Sequence, residues 1–279
     1  MNWKTVLFVT APGEGDADLK TAIALCDSSG AHLSVLVIAI AAPPPIGEYA
    51  AVVSEAWNEE RQLDMKALSE RVAQVSSILG ASQVSHDVTS TYCELALADN
   101  EVGTHARYAD LLLVGAGLTD ERRVRTSVLE GGLFRSPAPV LLAPSDTPVR
   151  LDPKVVVLAW NSSLEASRAA RHAIDLLKAA EEVHVTLVDP EASESANGEE
   201  PGADIATFLA RHGINVTVDR LSSGQRPVAT VLKHHAADIA ADLIVMGAYG
   251  HSRLREWIFS GVTKEILKEP PAVPVLIAH

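Results

Sequence analysis

The sequence predicts an α/β protein made of two doubly wound parallel sheets in tandem. Three observations predict it. Continuous apolar runs with β-branched residues, the mark of strands buried on both faces, alternate with Ala-rich amphipathic stretches. The same succession occurs twice along the 279 residues, a length of about two domains. The aromatic share is only 4%, so the cores are built mainly from Ala, Val, Leu and Ile.

The elements follow in order. Residues 4–10 (KTVLFVT) and 154–160 (KVVVLAW) open the two copies as strands. A polar turn and a helix follow each. In the second copy the helix runs over 162–180, with Ala166, Ala170, Ala173, Ile174 and Leu177 along one face. A second apolar run comes next, 32–40 in one copy and 183–188 in the other. Further on, 108–115 (YADLLLVG) matches 241–247 (ADLIVMG). Each copy closes on a short strand, PAPVLLAP from Pro137 and PAVPVLIA from Pro271. Pro148 and Pro153 mark a linker, which puts the boundary near residue 150 and the domains at 1–146 and 152–279. An insertion around 41–60 lengthens the first copy, and Pro43, Pro44 and Pro45 cannot continue a central strand. Alternating strands and helices imply a parallel sheet covered on both faces. Right-handed crossovers then leave a flavodoxin-like, five-stranded doubly wound sheet as the expected topology of each copy. Ligands of such sheets sit beyond the carboxyl ends of the strands, where strand order reverses, so the loops after the first and fourth strands are the candidate sites.

Composition excludes several classes. The chain carries 23 basic and 36 acidic side chains, a formal net charge of −13. The imbalance is shared: 11 basic and 19 acidic in residues 1–150, 12 and 17 in 151–279. So acidic a surface repels a polyphosphate backbone, and nucleic acid is not an expected partner. No apolar run reaches the ~18 residues a membrane helix needs, so no membrane partner is expected. The N-terminus reads as a first strand rather than a signal peptide. Cys26 and Cys93 form neither a CxxC pair nor a disulfide framework, which fits a reducing cytosol, and each reads as a small core residue. The expected location is cytoplasmic.

The second copy carries the chemistry. After its fourth strand the chain reads MGAYGHSRLREWIFSGVTKEIL from Met246. Gly247 and Gly250 let the backbone come close to a ligand. His251, Ser252, Arg253 and Arg255 add donors and positive charge to an acidic protein. A helix is expected from near Glu256 or Trp257, with Ser260, Gly261 and Thr263 in its first turns, where free N–H groups and the dipole favour an anion. Together these make a phosphate cradle.

The tandem halves and this loop resemble the universal stress protein family in its two-domain form. The likeness covers essentially the whole chain; it is specific in the second copy and loose in the first. Nucleotide-binding members carry Gly-x-x-Gly, nine residues, then Gly and Ser or Thr. The first two glycines fall on Gly247 and Gly250, but the later pair meets Ser260 and Gly261 in inverted order. A one-residue shift turns the hydroxyl by ~100° around a helix. Where the family often has an Asp at the end of the first strand, Asn161 stands, either as a ligand contact or as a helix N-cap that Ser162 or Ser163 could equally provide. The resemblance implies an adenine nucleotide, ATP with Mg²⁺, in the C-terminal copy. Gly247, Gly250, His251 and Arg253 would surround the phosphates, aided by Ser260, Gly261 and Thr263. Asn161, Val188 and Met246 would meet the ribose and base.

The first copy keeps little of this loop. Gly115 and Gly117 are one residue apart, Asp120 and Glu121 oppose a phosphate, and Gly131 and Gly132 fall near the place of the later glycine. This copy reads as structural or regulatory. The run Gly13-Glu14-Gly15-Asp16-Ala17-Asp18 misses the GxGxxG fingerprint and reads as a solvated turn capping a helix. Walker and GxSxG motifs are absent. His234 and His235 are adjacent on a helix and point to different faces, while His172 and His184 lie on separate elements, so no metal site is expected. Arg122, Arg123 and Arg125 read as a solvated basic run or an anion contact. The strand-like tail 273–278 invites pairing, within the chain as a pseudo-dimer or between chains as a homodimer. Three functions fit: a nucleotide-binding stress regulator, a slow ATP hydrolase using Glu256, or a scaffold that has lost its nucleotide.

Overall fold

The computed structural model describes residues 3–43, 50–118, 123–145, 148–191, 199–248, 261–268 and 270–279. They fall into two compact units, 3–140 and 141–279. The first contains β1 (Thr5–Thr10), α1 (Ala17–Ser29), β2 (His32–Ala41), α2 (Ala50–Gly80), β3 (His86–Glu94), α3 (Leu95–Ala106), β4 (Leu111–Val114) and α4 (Val124–Arg135). Strand β5 (Val140–Leu142) straddles the division. The second contains β6 (Val155–Ala159), α5 (Leu164–His172), α6 (Ile174–Ala179), β7 (Glu182–Val188), α7 (Ala203–Arg211), β8 (Val216–Leu221), α8 (Val228–Asp238), β9 (Leu243–Gly247), α9 (Val262–Leu267) and β10 (Val275–Ala278).

Both units wind alike. The first has strand order β3-β2-β1-β4, and Leu112 N donates to Pro139 O (3.0 Å) where β5 begins. The second has order β10-β9-β6-β7-β8. Pairs β1–β2, β1–β4, β2–β3, β6–β7, β6–β9, β7–β8 and β9–β10 are all parallel. The order reverses between β1 and β4, and again between β6 and β9. This is the expected α/β fold in tandem. The central strands are buried throughout, as their unbroken apolar runs require: Val6 to Val9, Val35 to Ile38, Val156 to Leu158 and Leu243 to Met246. Strands β3 and β8 lie at the edges and alternate or expose their side chains.

The repeated Ala-Asp before the fourth strand has a physical role. Asp110 Oδ2 accepts from Lys4 N and Thr5 N at 2.7 and 3.0 Å. Asp242 Oδ2 accepts from Lys154 N and Val155 N at 2.7 and 3.1 Å. In each unit one carboxylate thus ties the start of the first strand to the start of the fourth. The insertion expected around 41–60 overlaps the start of the 31-residue helix α2, which packs on β2 and β3. The helix expected over 162–180 is two pieces, α5 and α6, divided at Ala173.

Candidate functional site

Register brings several expected residues to one edge of the C-terminal sheet. Ala159 of β6 pairs with Thr186 of β7 and Met246 of β9. The carboxyl ends just beyond carry Asn161, Val188 and Gly247. Asn161 is exposed, and its Oδ1 accepts from Ser163 N at 3.2 Å. The N-cap of α5 is Ser163, whose hydroxyl accepts from Ala166 N at 3.1 Å. Capping therefore falls to Ser163, while Asn161 shapes the preceding turn, in which Ser162 has φ +60°. Val188 is half-buried and Met246 is buried. Next to Val188, the exposed Asp189 accepts from Ser223 N (2.9 Å), and bonding to Ser223 holds its carboxyl below the usual range.

Gly247 is close to backbone rather than to open space. A Cβ there would run into Ala166 N and lie 2.5 Å from Glu165 C, so the first turn of α5 rests directly on it. The first unit repeats the device: a Cβ on Gly115 would run into the Asp18 carboxylate, at the second position of α1 as Glu165 is of α5. The glycine ending the fourth strand is thus required in both units by the helix that follows the first strand.

Beyond β9, Ala248 N donates to Ala278 O (2.8 Å), and His279 Nδ1 lies 3.1 Å from Ala248 O. Gly250, His251, Arg253 and Ser260 lie outside the described residues, as do Ser252, Arg255, Glu256 and Trp257. On the far side Gly261 is exposed with φ +89°, a left-handed conformation that a Cβ would strain. The described helix begins only at Val262, so Gly261 precedes it instead of lying within it. Thr263 is 5% exposed and shares the buried side of α9 with Ile266 and Leu267, so its hydroxyl is not on an open surface.

In the first unit the loops after β1 and β4 are bonded to each other and to α2. Asp18 Oδ2 accepts from Gly117 N at 2.8 Å, a carboxylate bonded where the loop after β4 begins. Arg71 of α2 is buried and reaches Asp16 Oδ1 (2.7 Å), Thr10 Oγ1 (3.0 Å) and Gly15 O (3.2 Å). Thr10 Oγ1 donates to Glu14 Oε2 at 2.9 Å. Burial pushes the Glu14 carboxyl up to about 7, and its Oε1 has no hydrogen-bond partner among the described residues. The segment 13–18 is a turn with Gly13, Gly15 and Ala17 exposed, as its composition predicts, but its half-buried carboxylates are bonded back to the protein. Asp16 precedes α1 but makes no side-chain cap; Arg71 takes it instead. Gly131 and Gly132 lie inside α4, where a Cβ on Gly131 would approach Asp99 O of α3 at 2.6 Å and one on Gly132 would run into Leu112. They serve packing and do not form a phosphate loop. In the basic run, Arg125 is buried and Arg123 is exposed with φ +61°, while Arg122, Asp120 and Glu121 lie outside the described residues. Burial pushes the Cys26 thiol up to about 12, the inert core thiol its sequence suggests.

The bonding of Asp18, Glu14 and Arg71 is not legible in the sequence because it joins residues up to 99 positions apart, Asp18 and Gly117. Nor is it legible that His184 and His235 meet at one carboxylate, Asp219, because those residues lie on three elements.

The fold and the crevice at each reversal of strand order define a tandem α/β protein of the doubly wound kind. Residues 153–279 match the model of the universal stress protein family. Across the whole chain the fold is similar to that of a universal stress protein from Archaeoglobus fulgidus DSM 4304. The two are 18% identical, with a TM-score of 0.67 over 98% of this chain and 95% of the other. It is also similar to a candidate universal stress protein from Pseudomonas aeruginosa UCBPP-PA14, 16% identical, TM-score 0.59, over 99% of this chain and 93% of that one. No curated protein sequence matches the chain. Among the described residues no helix is long and apolar enough to cross a membrane.

Proposed function

We propose that this protein is a cytoplasmic stress regulator that binds one adenine nucleotide, ATP with Mg²⁺, in its C-terminal unit, and that its N-terminal unit binds none. The observation that carries the reading is the bonding of the first unit's own side chains at the carboxyl ends of β1 and β4. In the first unit the Asp18 carboxylate accepts from Gly117 N where the loop after β4 begins, and Arg71 is paired with Asp16. In the second, the strand ends bearing Asn161, Val188 and Gly247 lead into a loop whose Gly250, His251 and Arg253 are the phosphate donors of this proposal. Ser260, Gly261 and Thr263 follow that loop; the burial of Thr263 leaves Ser260 as the hydroxyl of choice for the phosphates.

Equilibrium binding of labelled ATP to the full chain and to a Gly250→Asp variant tests this. One saturable site, lost in the variant, is the expected result. No saturable binding, or equal binding by both, leaves the scaffold reading standing. Native mass spectrometry of the purified protein reads the subunit number, and with it the homodimer expectation, in the same measurement as any carried nucleotide.

A further inference from the structure

His184 on β7, Asp219 on β8 and His235 on α8 converge. Asp219 Oδ2 lies 2.7 Å from His184 Nδ1 and 2.8 Å from His235 Nε2, and one ligand atom of each residue falls within 4.8 Å of the others. The side chains are 12, 20 and 14% exposed for His184, Asp219 and His235. The backbone holds them firmly: His184 pairs with Thr217 and Thr186 with Asp219, so the first two lie on one face of adjacent strands. The cluster is separate from the crevice, since His184 precedes Val188 by four residues of strand, roughly 13 Å.

We propose that His184, Asp219 and His235 form a binding site for one divalent transition ion of the zinc class. Two imidazoles and a carboxylate are a donor set for such an ion, with water completing a tetrahedron. Tetrahedral ligand atoms around zinc stand about 3.3 Å apart, so Asp219 Oδ2 needs to draw back from each histidine by about half an ångström, while the two histidine nitrogens already lie within 4.8 Å of each other.

A second carboxylate supports the assignment. His184 Nε2 lies 3.5 Å from Glu182 Oε1, which also accepts from Thr217 Oγ1 at 3.1 Å. His184 is therefore flanked by a carboxylate on each ring nitrogen. A neutral imidazole donates from one nitrogen only and leaves the other as an acceptor facing an acceptor. An ion on Nδ1 satisfies both sides, as a second ring proton also would, because Nε2–H then donates to Glu182. A carboxylate orienting the far nitrogen of a ligating histidine is the usual support of a metal site. The ion also offsets the two negative charges that the cluster gathers.

The test adds Zn²⁺ alone to the chelator-treated full chain and follows binding by calorimetry, with Co²⁺ as a visible-absorption probe. The variants are Asp219→Asn, His235→Gln and Glu182→Gln, each checked for folding by circular dichroism, with His172→Gln as a control. The expected result is one equivalent bound with a d–d absorption band. Asp219→Asn and His235→Gln lose it, Glu182→Gln binds about tenfold or more weakly, and His172→Gln binds like the wild type. The proposal is overturned if the wild type shows no saturable binding. It is equally overturned if folded Asp219→Asn and His235→Gln keep the same stoichiometry and spectrum. Nucleotide is absent throughout, so the outcome is independent of the ATP reading.

Discussion

Single residues in this protein are governed by what approaches them. Glu14 is the clearest case, because burial lifts its folded-state carboxyl to about 7 from an ordinary 4.5. A raised carboxyl favours the protonated folded state, so its contribution is fully present below about pH 4.5 and is lost as pH rises through about 7. Glu14→Gln removes the titration. The stability of that variant relative to wild type should grow by about 1–3 kcal/mol between pH 4.5 and 7.5, read as urea midpoints. A flat difference across that range would refute the burial argument. Gly247 is governed by the first turn of α5. Gly247→Ala sets a methyl against helix backbone that cannot swing aside and should cost about 1–3 kcal/mol in urea unfolding. The sequence marks this glycine as a place of close approach, but only the packing identifies the neighbour as a helix.

At the scale of elements, the strands legible in the sequence are those buried on both faces, where every position is apolar. The edge strands β3 (HDVTSTYCE) and β8 (VTVDRL) face water in part and so lack a continuous apolar run. Strand–helix alternation predicts a helix at the place of α2 but not its length; Arg71, paired with Asp16 and bonded to Thr10 of β1, fastens it to the sheet. Arg71→Ala leaves Asp16 and Thr10 without that partner. It should destabilise the N-terminal unit by about 3 kcal/mol and speed hydrogen exchange along residues 60–80. Wild-type exchange rates in that stretch would show the contact to be incidental. The twin carboxylates Asp110 and Asp242 each hold two strand N–H groups. Asp242→Ala should cost about 1–2 kcal/mol by thermal or urea unfolding, and Asp110→Ala a similar amount, since both perform one task.

At the scale of the whole molecule, two copies of one fold are proposed to divide their labour, the second alone binding nucleotide. Saturating ATP should slow hydrogen exchange in residues 153–279 and leave 3–140 unchanged. At a hundredfold excess over Kd the added stability should be about 2.7 kcal/mol. Protection of the first unit instead would refute the division of labour. The sequence by itself determined the repeat and the parallel sheets. Those properties follow from local patterns: unbroken apolar runs demand burial on both faces, and strand–helix alternation permits few windings. Tertiary structure decided which side chains share a space: Asp18 on Gly117, Arg71 on Asp16, and two histidines on Asp219. Such meetings join residues 16 to 99 positions apart, and they depend on strand register and helix placement that no local pattern encodes.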